Sequence, residues 1–326
     1  MYNDIKLEKG MYNLTGKSFS QLLEERDPSE NYLGTPLEGL DAFERQLKRF
    51  DIKVSGAGCD LVEKFFADTE SAVLFPEFVK RAIRQGMKTT VLNEIVAAST
   101  NVKATSYKGY TVTEVNDSPY STTTNEGAEL PQTTIREDNS YTSLLKYGRL
   151  ISASYEVVRQ QRIDVFGVIL RAIGVKLANA LLAVAVTTLK TGVTGIYQAA
   201  ATLAYSDLAN LYGQFSDFNM TVLLASPESC AEILALSELD DRVCTDDGKI
   251  QLPFGTTLIK VPSQSDDYII GIDKEFALEM ITGSDLVMET DKLIDCQLDR
   301  VTVTLNAGFK KIMADAVSAL NMSVEP

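Results

Sequence analysis

The residues able to do chemistry are few, and the first fact about them is an absence: no histidine occurs among the 326 residues. Imidazole triads, histidine-containing zinc sites and imidazole proton shuttles are therefore excluded. Cys59, Cys230, Cys244 and Cys296 stand singly. Without a C-x-x-C pair they lack the short ligand spacing of a zinc site, and reduced structural thiols are expected. Gly16-Lys17-Ser18 has the form of the end of a phosphate-binding loop, but that motif needs glycine where Met11 stands, and no apolar strand precedes it. Gly56-Ala57-Gly58 lacks the third glycine of a dinucleotide fingerprint. No G-x-S-x-G elbow is present. The doublets Asp240-Asp241, Asp246-Asp247 and Asp266-Asp267 are either solvated turns or oxygen donors for a hard cation, although doublets around Gly248 do not have the alternate spacing of a calcium loop. The sequence thus offers no catalytic, cofactor-binding or metal residues, and no cofactor is expected.

The elements that would carry function must be sought in the organisation of the chain. Hydrophobic residues make up 45% and charged residues 23%, a globular composition with length for about two domains. The formal net charge is −14, which opposes a sequence-reading grip on nucleic acid. Residues 203–300 hold 19 acids against 6 bases, while 1–90, 91–202 and 301–326 are nearly neutral. Such a break suggests a separately exposed domain inserted between neutral segments that pack together, or a solvated acidic face. Met1 to Lys6 has no apolar run behind a basic start and does not read as a secretory signal, so a cytoplasmic setting is expected. The most apolar window, Ala172 to Leu189, contains Lys176 and Asn179 and reads as a buried helix instead of a membrane span.

Ser18 or Ser20 can cap a short helix over Gln21 to Arg26, and capping and turn residues predict others from Thr35-Pro36 through Phe50, around Cys59 to Phe66, and from Pro76 onward. These read as an arm that packs on something else. Threonine, valine and tyrosine then dominate 100–115, and the same bias returns from Tyr141 to Ser152. The polar sequence between them predicts a long projecting hairpin. Ile163, Phe166, Leu170, Ile173, Leu177, Leu181 and Val184 fall on one helical stripe, and Gln161 to Leu189 would make a rod of about 43 Å. Within the acidic segment, Ser206 is expected to cap a helix to Tyr212. Met220 to Ala225, Thr257 to Val261 and Tyr268 to Ile272 read as strands, and Ser226-Pro227-Glu228 opens a helix to Leu236. A strand from Leu298 to Gly308 followed by a helix from Phe309 to Leu320 closes the chain.

This order of parts resembles the major capsid proteins of tailed bacteriophages of the Hong Kong ninety-seven type. Glu126-Gly127-Ala128-Glu129-Leu130-Pro131 is similar to the E-G-x-x-x-P element met in their extended E-loops. The strand Leu144 to Ser154, the spine stripe from Ile163, and Met220 to Glu228 follow in the same order. The resemblance implies an α+β phage major capsid fold: an N-terminal helical extension and N-arm (1–90), the E-loop hairpin and flanking strands (91–154), a peripheral domain with a long spine helix (155–202), an inserted axial domain (203–292), and a C-terminal return to the peripheral domain (293–326). Residues 1–70 have no match in it, and both a permanent arm and a scaffold-like segment removed on maturation stay open.

What the resemblance implies about function is a structural protein, not an enzyme, self-assembling into pentamers and hexamers of an icosahedral-type virion shell around double-stranded DNA. Assembly would occur in the host bacterial cytoplasm, with portal, scaffolding and decoration proteins as further partners, no sequence-specific DNA contact and no membrane. An encapsulin-like compartment shares the fold and is the alternative; a cytoplasmic α/β enzyme is the rival from a different class. Lys103, Tyr107, Lys108, Tyr110, Glu126, Gly127 and Pro131 become candidate inter-subunit residues of the E-loop, and Asp240, Asp241, Arg242, Asp246, Asp247 and Lys249 candidates for a loop at the capsomer axis. A polar hairpin buries too little of its own surface to offset backbone entropy. Deleting residues 116–130 should therefore leave a folded, soluble monomer that forms no shells by size exclusion and electron microscopy; normal shells would refute the assignment.

Overall fold

Capping chemistry sets the first helices. Ser18 accepts from the backbone N–H of Gln21 while the Gln21 side chain accepts from that of Ser18, and α1 (Phe19–Arg26) follows. Asp41 and Glu44 make the same reciprocal pair ahead of α2 (Ala42–Arg49). The helix expected from Thr35-Pro36 thus begins six residues later, because Gly34 and Gly39 lie at φ +73° and +81°, outside helical geometry. Pro76 sits inside the first turn of α3 (Leu74–Lys88), where a missing N–H costs nothing. The long helix α4 (Ile163–Lys190) starts two residues late, since Gln161 and Arg162 are held extended against Leu61 and Val62. Two helices of the acidic segment follow, α5 (Tyr205–Tyr212) and α6 (Pro227–Leu234).

The strands are β1 (Ala98–Asn101), β2 (Ser106–Tyr107), β3 (Tyr110–Val115), β4 (Gln132–Glu137), β5 (Thr142–Ser143), β6 (Leu145–Ser154), β7 (Ile196–Gln198), β8 (Val222–Ala225), β9 (Ile250–Gln251), β10 (Thr257–Lys260), β11 (Tyr268–Ile272), β12 (Leu278–Thr282), β13 (Val287–Leu293), β14 (Leu298–Lys311) and β15 (Val317–Val324). This computed structural model describes residues 5–13, 17–88, 91–115, 126–127, 132–154, 159–200, 202–239, 249–283, 286–293 and 298–324. The chain divides into one unit of Met1–Thr89, Gly148–Leu177 and Leu286–Thr304, and another of Thr90–Tyr147, Ala178–Asp285 and Leu305–Pro326.

In the first unit the leading residues are not an extended arm. Leu23, Val62, Phe65, Leu74 and Ile83 are fully buried, and Phe75 stacks on Phe166 of α4 at 6.0 Å. Arg45 is buried as well. Its Nε lies 2.9 Å from Asp27 Oδ2, its guanidinium covers the Tyr32 ring at 4.3 Å, and Tyr32 donates to Asp27 Oδ1 at 2.7 Å. A charge is tolerated there because every polar atom around it is answered. On α4 the expected stripe is buried at Ile163, Leu170, Leu177 and Leu181 and half-buried at Phe166, Ile173 and Val184.

The second unit is built on a sheet ordered β7-β15-β11-β8-β10-β9, with β10 parallel to β8 and β11 antiparallel to both β8 and β15. Leu208, Leu211, Leu223, Ile233, Ile269 and Leu320 form its core. The cap of α5 is not Ser206. The buried Asp207 carboxylate accepts from the N–H groups of Ala204 and Ala199 and fixes the entry of the helix. Alternation in β14 buries Val301, Val303, Leu305, Ala307 and Phe309, so the strand runs past Gly308. The expected helix from Phe309 to Leu320 is instead the end of β14, a turn and the first half of β15. Helix-forming Ala314, Ala316, Ala319 and Leu320 are overruled because β15 fills a slot between β11 and β7 and bonds on both sides. The sheet therefore takes two strands from outside residues 203–292.

The helices α3 and α4 meet backbone to backbone. A Cβ on Gly86 would collide with the Arg171 carbonyl oxygen, and one on Gly174 with that of Ile83. Neither obstacle is a side-chain tip that can swing away. Gly174→Ala should lower stability by about 1–3 kcal/mol in denaturant unfolding, through overpacking; an unchanged midpoint would contradict this crossing.

Candidate assembly surfaces

The hairpin is a ladder in two pieces. Ser106 and Tyr107 pair with Ser143 and Thr142, then Tyr110 to Val115 pair with Glu137 to Gln132. Residues 100–115 are expected to pair with Tyr141 to Ser152; β2 and β5 do so, whereas β3 takes β4 from the stretch read as connecting sequence, and β6 pairs with β14. The register slips because two residues, Lys108 and Gly109, face four, Asp138 to Tyr141. Asp138 closes that excursion: its N–H donates to Gly109 O at 2.8 Å and its Oδ1 accepts from Ser140 N.

A residue far away in sequence anchors this point. Lys310 on β14 reaches Asp138 Oδ2 at 2.7 Å, and its stem passes so close to Gly109 that a Cβ there would strike Lys310 Cδ at 2.7 Å. The Lys310 ammonium and the Ser140 N–H hold the Asp138 carboxyl down to about 2. Sequence reasoning missed Gly109, Asp138 and Lys310; the turn chemistry of Asp138-Asn139-Ser140 was the local signal, but nothing in sequence joins it to Lys310.

Of the residues expected to serve the hairpin, Tyr107 is half-buried, its hydroxyl acidity lowered by burial and by Glu279. Lys108 pairs with Glu137 Oε2 at 2.7 Å, which raises its pKa, and lies 5.6 Å from the Tyr141 ring centroid. Lys103 is exposed. Tyr110 and Ile135, diagonal neighbours across β3 and β4, are 65% and 68% exposed. These two strands pair with each other and, among the described residues, with no other strand. Glu126 and Gly127 form an exposed turn in which Gly127 takes φ +87°, a conformation that needs glycine. Pro131 lies outside the described residues.

The other candidate surface is described only at its edge. Asp240, Asp241, Arg242, Asp246 and Asp247 lie outside the described residues, as do Cys244 and Cys296; Lys249 pairs with Glu94 at 3.2 Å. Cys59 and Cys230 are free thiols, and burial pushes Cys230 up to about 11, so it stays protonated. On the first half of α4, Val165, Val168 and Ile169 form an exposed apolar strip, 45%, 55% and 46% accessible. By length and composition α4 could cross a membrane, but its second half is packed: Leu181, Leu182, Ala185 and Leu189 are fully buried. Among the described residues no group of three or more metal-binding side chains of the His, Cys, Asp and Glu type comes together.

Residues 137–290 match a family model described as phage capsid protein. No curated protein matches the chain in sequence. Solved structures similar to it include several shells. The virus-like particle from Pyrococcus furiosus is 12% identical, with a TM-score of 0.55, 76% of this chain and 99% of that one covered. A structure from Microbacterium phage Oxtober96 is 10% identical, with a TM-score of 0.52 and coverage of 71% and 90%. The SrpI encapsulin from Synechococcus elongatus PCC 7942 is 12% identical, with a TM-score of 0.53 and coverage of 73% and 91%. At these identities the likeness establishes the fold, and it is the α+β capsid fold expected from the order of parts.

Because the Asp138 pKa is depressed, the anchoring is complete above the ordinary carboxylate value of 3.8 and is lost as pH falls through about 2. Carboxyl NMR of the full chain should place the Asp138 midpoint near 2, and in Lys310→Met it should return toward the ordinary range. An unmoved midpoint would show that Lys310 does not hold the turn.

Proposed function

We propose that this chain, a structural shell protein with the phage major capsid fold, closes as pentamers and hexamers into an icosahedral-type virion shell around double-stranded DNA. The observation that carries this reading is the match of residues 137–290 to the phage capsid model on a chain of which 76% aligns with a virus-like-particle subunit. A shell subunit needs broad surfaces instead of a pocket. A two-stranded ladder with Tyr110 and Ile135 open to solvent, together with Lys103, Tyr107 and Lys108 at its base, supports the role of this hairpin as an inter-subunit contact. The acidic loop around Asp240, Asp241, Arg242, Asp246, Asp247 and Lys249 is assigned to the capsomer axis on the order of parts alone. A net charge of −14 favours a wall along which packaged duplex slides without sticking. Portal, scaffolding and decoration proteins are the partners that such a shell takes, and assembly in the host cytoplasm fits reduced, unpaired Cys59 and Cys230.

A second reading, an encapsulin-like compartment, draws on the likeness to the SrpI encapsulin, and the fold serves both. Contents decide between them. Purified particles treated with nuclease and then opened should release protected double-stranded DNA; particles holding protein cargo and no DNA would establish the compartment. The hairpin is tested separately. Tyr110→Ser with Ile135→Ser changes two exposed residues, so the subunit should keep its melting temperature within about 2 °C while shell yield falls at least tenfold. Normal yield would remove the hairpin from the interface.

A further inference from the structure

The start of α4 carries no cap of its own. Arg162 stands just ahead of Ile163, where serine, threonine, aspartate or asparagine would answer the free N–H groups of a first turn. The leading segment answers two of them instead. Ile163 N–H donates to Asp60 O at 3.0 Å and Asp164 N–H to Cys59 Sγ at 3.3 Å. Around them, Val62 N–H donates to Gln161 O at 2.9 Å and Arg162 Nη2 to Gly56 O at 3.2 Å. The 28-residue helix is therefore closed at its N-terminus by a distant part of the chain.

A second group of contacts holds the same segment to α3. Glu77 is 3% exposed, and its Oε1 accepts from Arg81 Nε at 3.1 Å and from the Ser20 hydroxyl of α1. Arg81 also donates to Ser20 Oγ at 2.9 Å, pairs with Asp41 ahead of α2 and lies 4.4 Å from the Phe43 ring centroid. Tyr12 donates to Val73 O at 2.7 Å and accepts from Glu77 N–H at 3.2 Å. Taking residues 1–70 away would remove Tyr12, Ser20, Asp41 and Phe43 together, and would strip Phe65 and Phe66 from the Phe75 ring. The buried Glu77 carboxylate would be left with Arg81 alone, and two N–H groups of α4 would lose their acceptors. A segment meant to leave cannot hold so much of what stays.

We propose that the leading segment through residue 70 is a permanent part of the subunit, a clasp that caps α4 and locks α3, and that no maturation step removes it. Of the two fates open to residues 1–70, the contacts select the one in which every copy keeps them. The clasp closes within one chain, so it does not depend on whether the subunit forms a virion shell or a compartment.

The test is a cut made after folding. A site-specific protease sequence inserted between the exposed Asp68 and Thr69 lets the full chain be cleaved there. After cleavage the leading piece should co-elute with the remainder on size exclusion in native buffer. Arg81→Met should lower the urea concentration that releases it by about 1 M, because Glu77 is left buried without its charge partner. In particles, the intact mass of the subunit should be that of the full chain. The proposal is overturned if the pieces separate in native buffer, if Arg81→Met releases at the parental urea concentration, or if the main species in particles lacks the first several dozen residues. Cleavage and release are read on the subunit alone, so failure of the shell reading leaves both in force.

Discussion

The register of β14 is the constraint on which most of the molecule depends. Its odd residues, Val301 to Phe309, are buried, and Lys310 on the opposite face reaches the turn that closes the hairpin ladder. A slip of one residue would put Phe309 in water and Lys310 in the core, and it would release Asp138. The same strand pairs with β13 through its first half and with β12 through its second, and β6 joins it as the chain leaves the hairpin. One strand thus fixes the sheet, the base of the hairpin and the start of the turn into β15.

Each unit solves the problem of rigidity in its own way. In the first, Arg45 and Asp27 are buried as a satisfied pair, and α3 and α4 approach until only glycine fits at 86 and 174. Both devices fix geometry at the expense of tolerance: removing either partner of a buried ion pair strands the other, and a single methyl group overfills the crossing. In the second, a six-stranded sheet is closed by the last strand of the chain, so its completion waits on residues far from the acidic segment it serves. Subunits that bear load through shared surfaces need such fixed frames, since any looseness within the subunit is repeated in every copy.

The outward features differ in kind. Apolar side chains are left in water along β3, β4 and the first half of α4, where a lone chain gains nothing from them.

Much of this was legible in the sequence because the signals were local or strictly periodic. Ser18 and its helix, the stripe from Ile163, the apolar strands 257–260 and 268–272, and the proline-started α6 are set by capping, spacing and hydrophobic runs that act within a few residues. The order of these parts also sufficed to identify the capsid fold. What only the tertiary structure decided were pairings between distant segments. Residues 314–320 have helical propensity but form a turn and the first half of β15, because two waiting sheet edges outweigh differences of a few tenths of a kcal/mol per residue. Threonine-rich β3 was read as a strand, yet its partner could be any of several polar stretches, and β4 was selected by the Asp138 turn and by Lys310. Gly86, Gly174 and Gly109 looked unremarkable for the same reason: a glycine's need for closeness is set by the atoms that approach it, and these come from the far side of the fold.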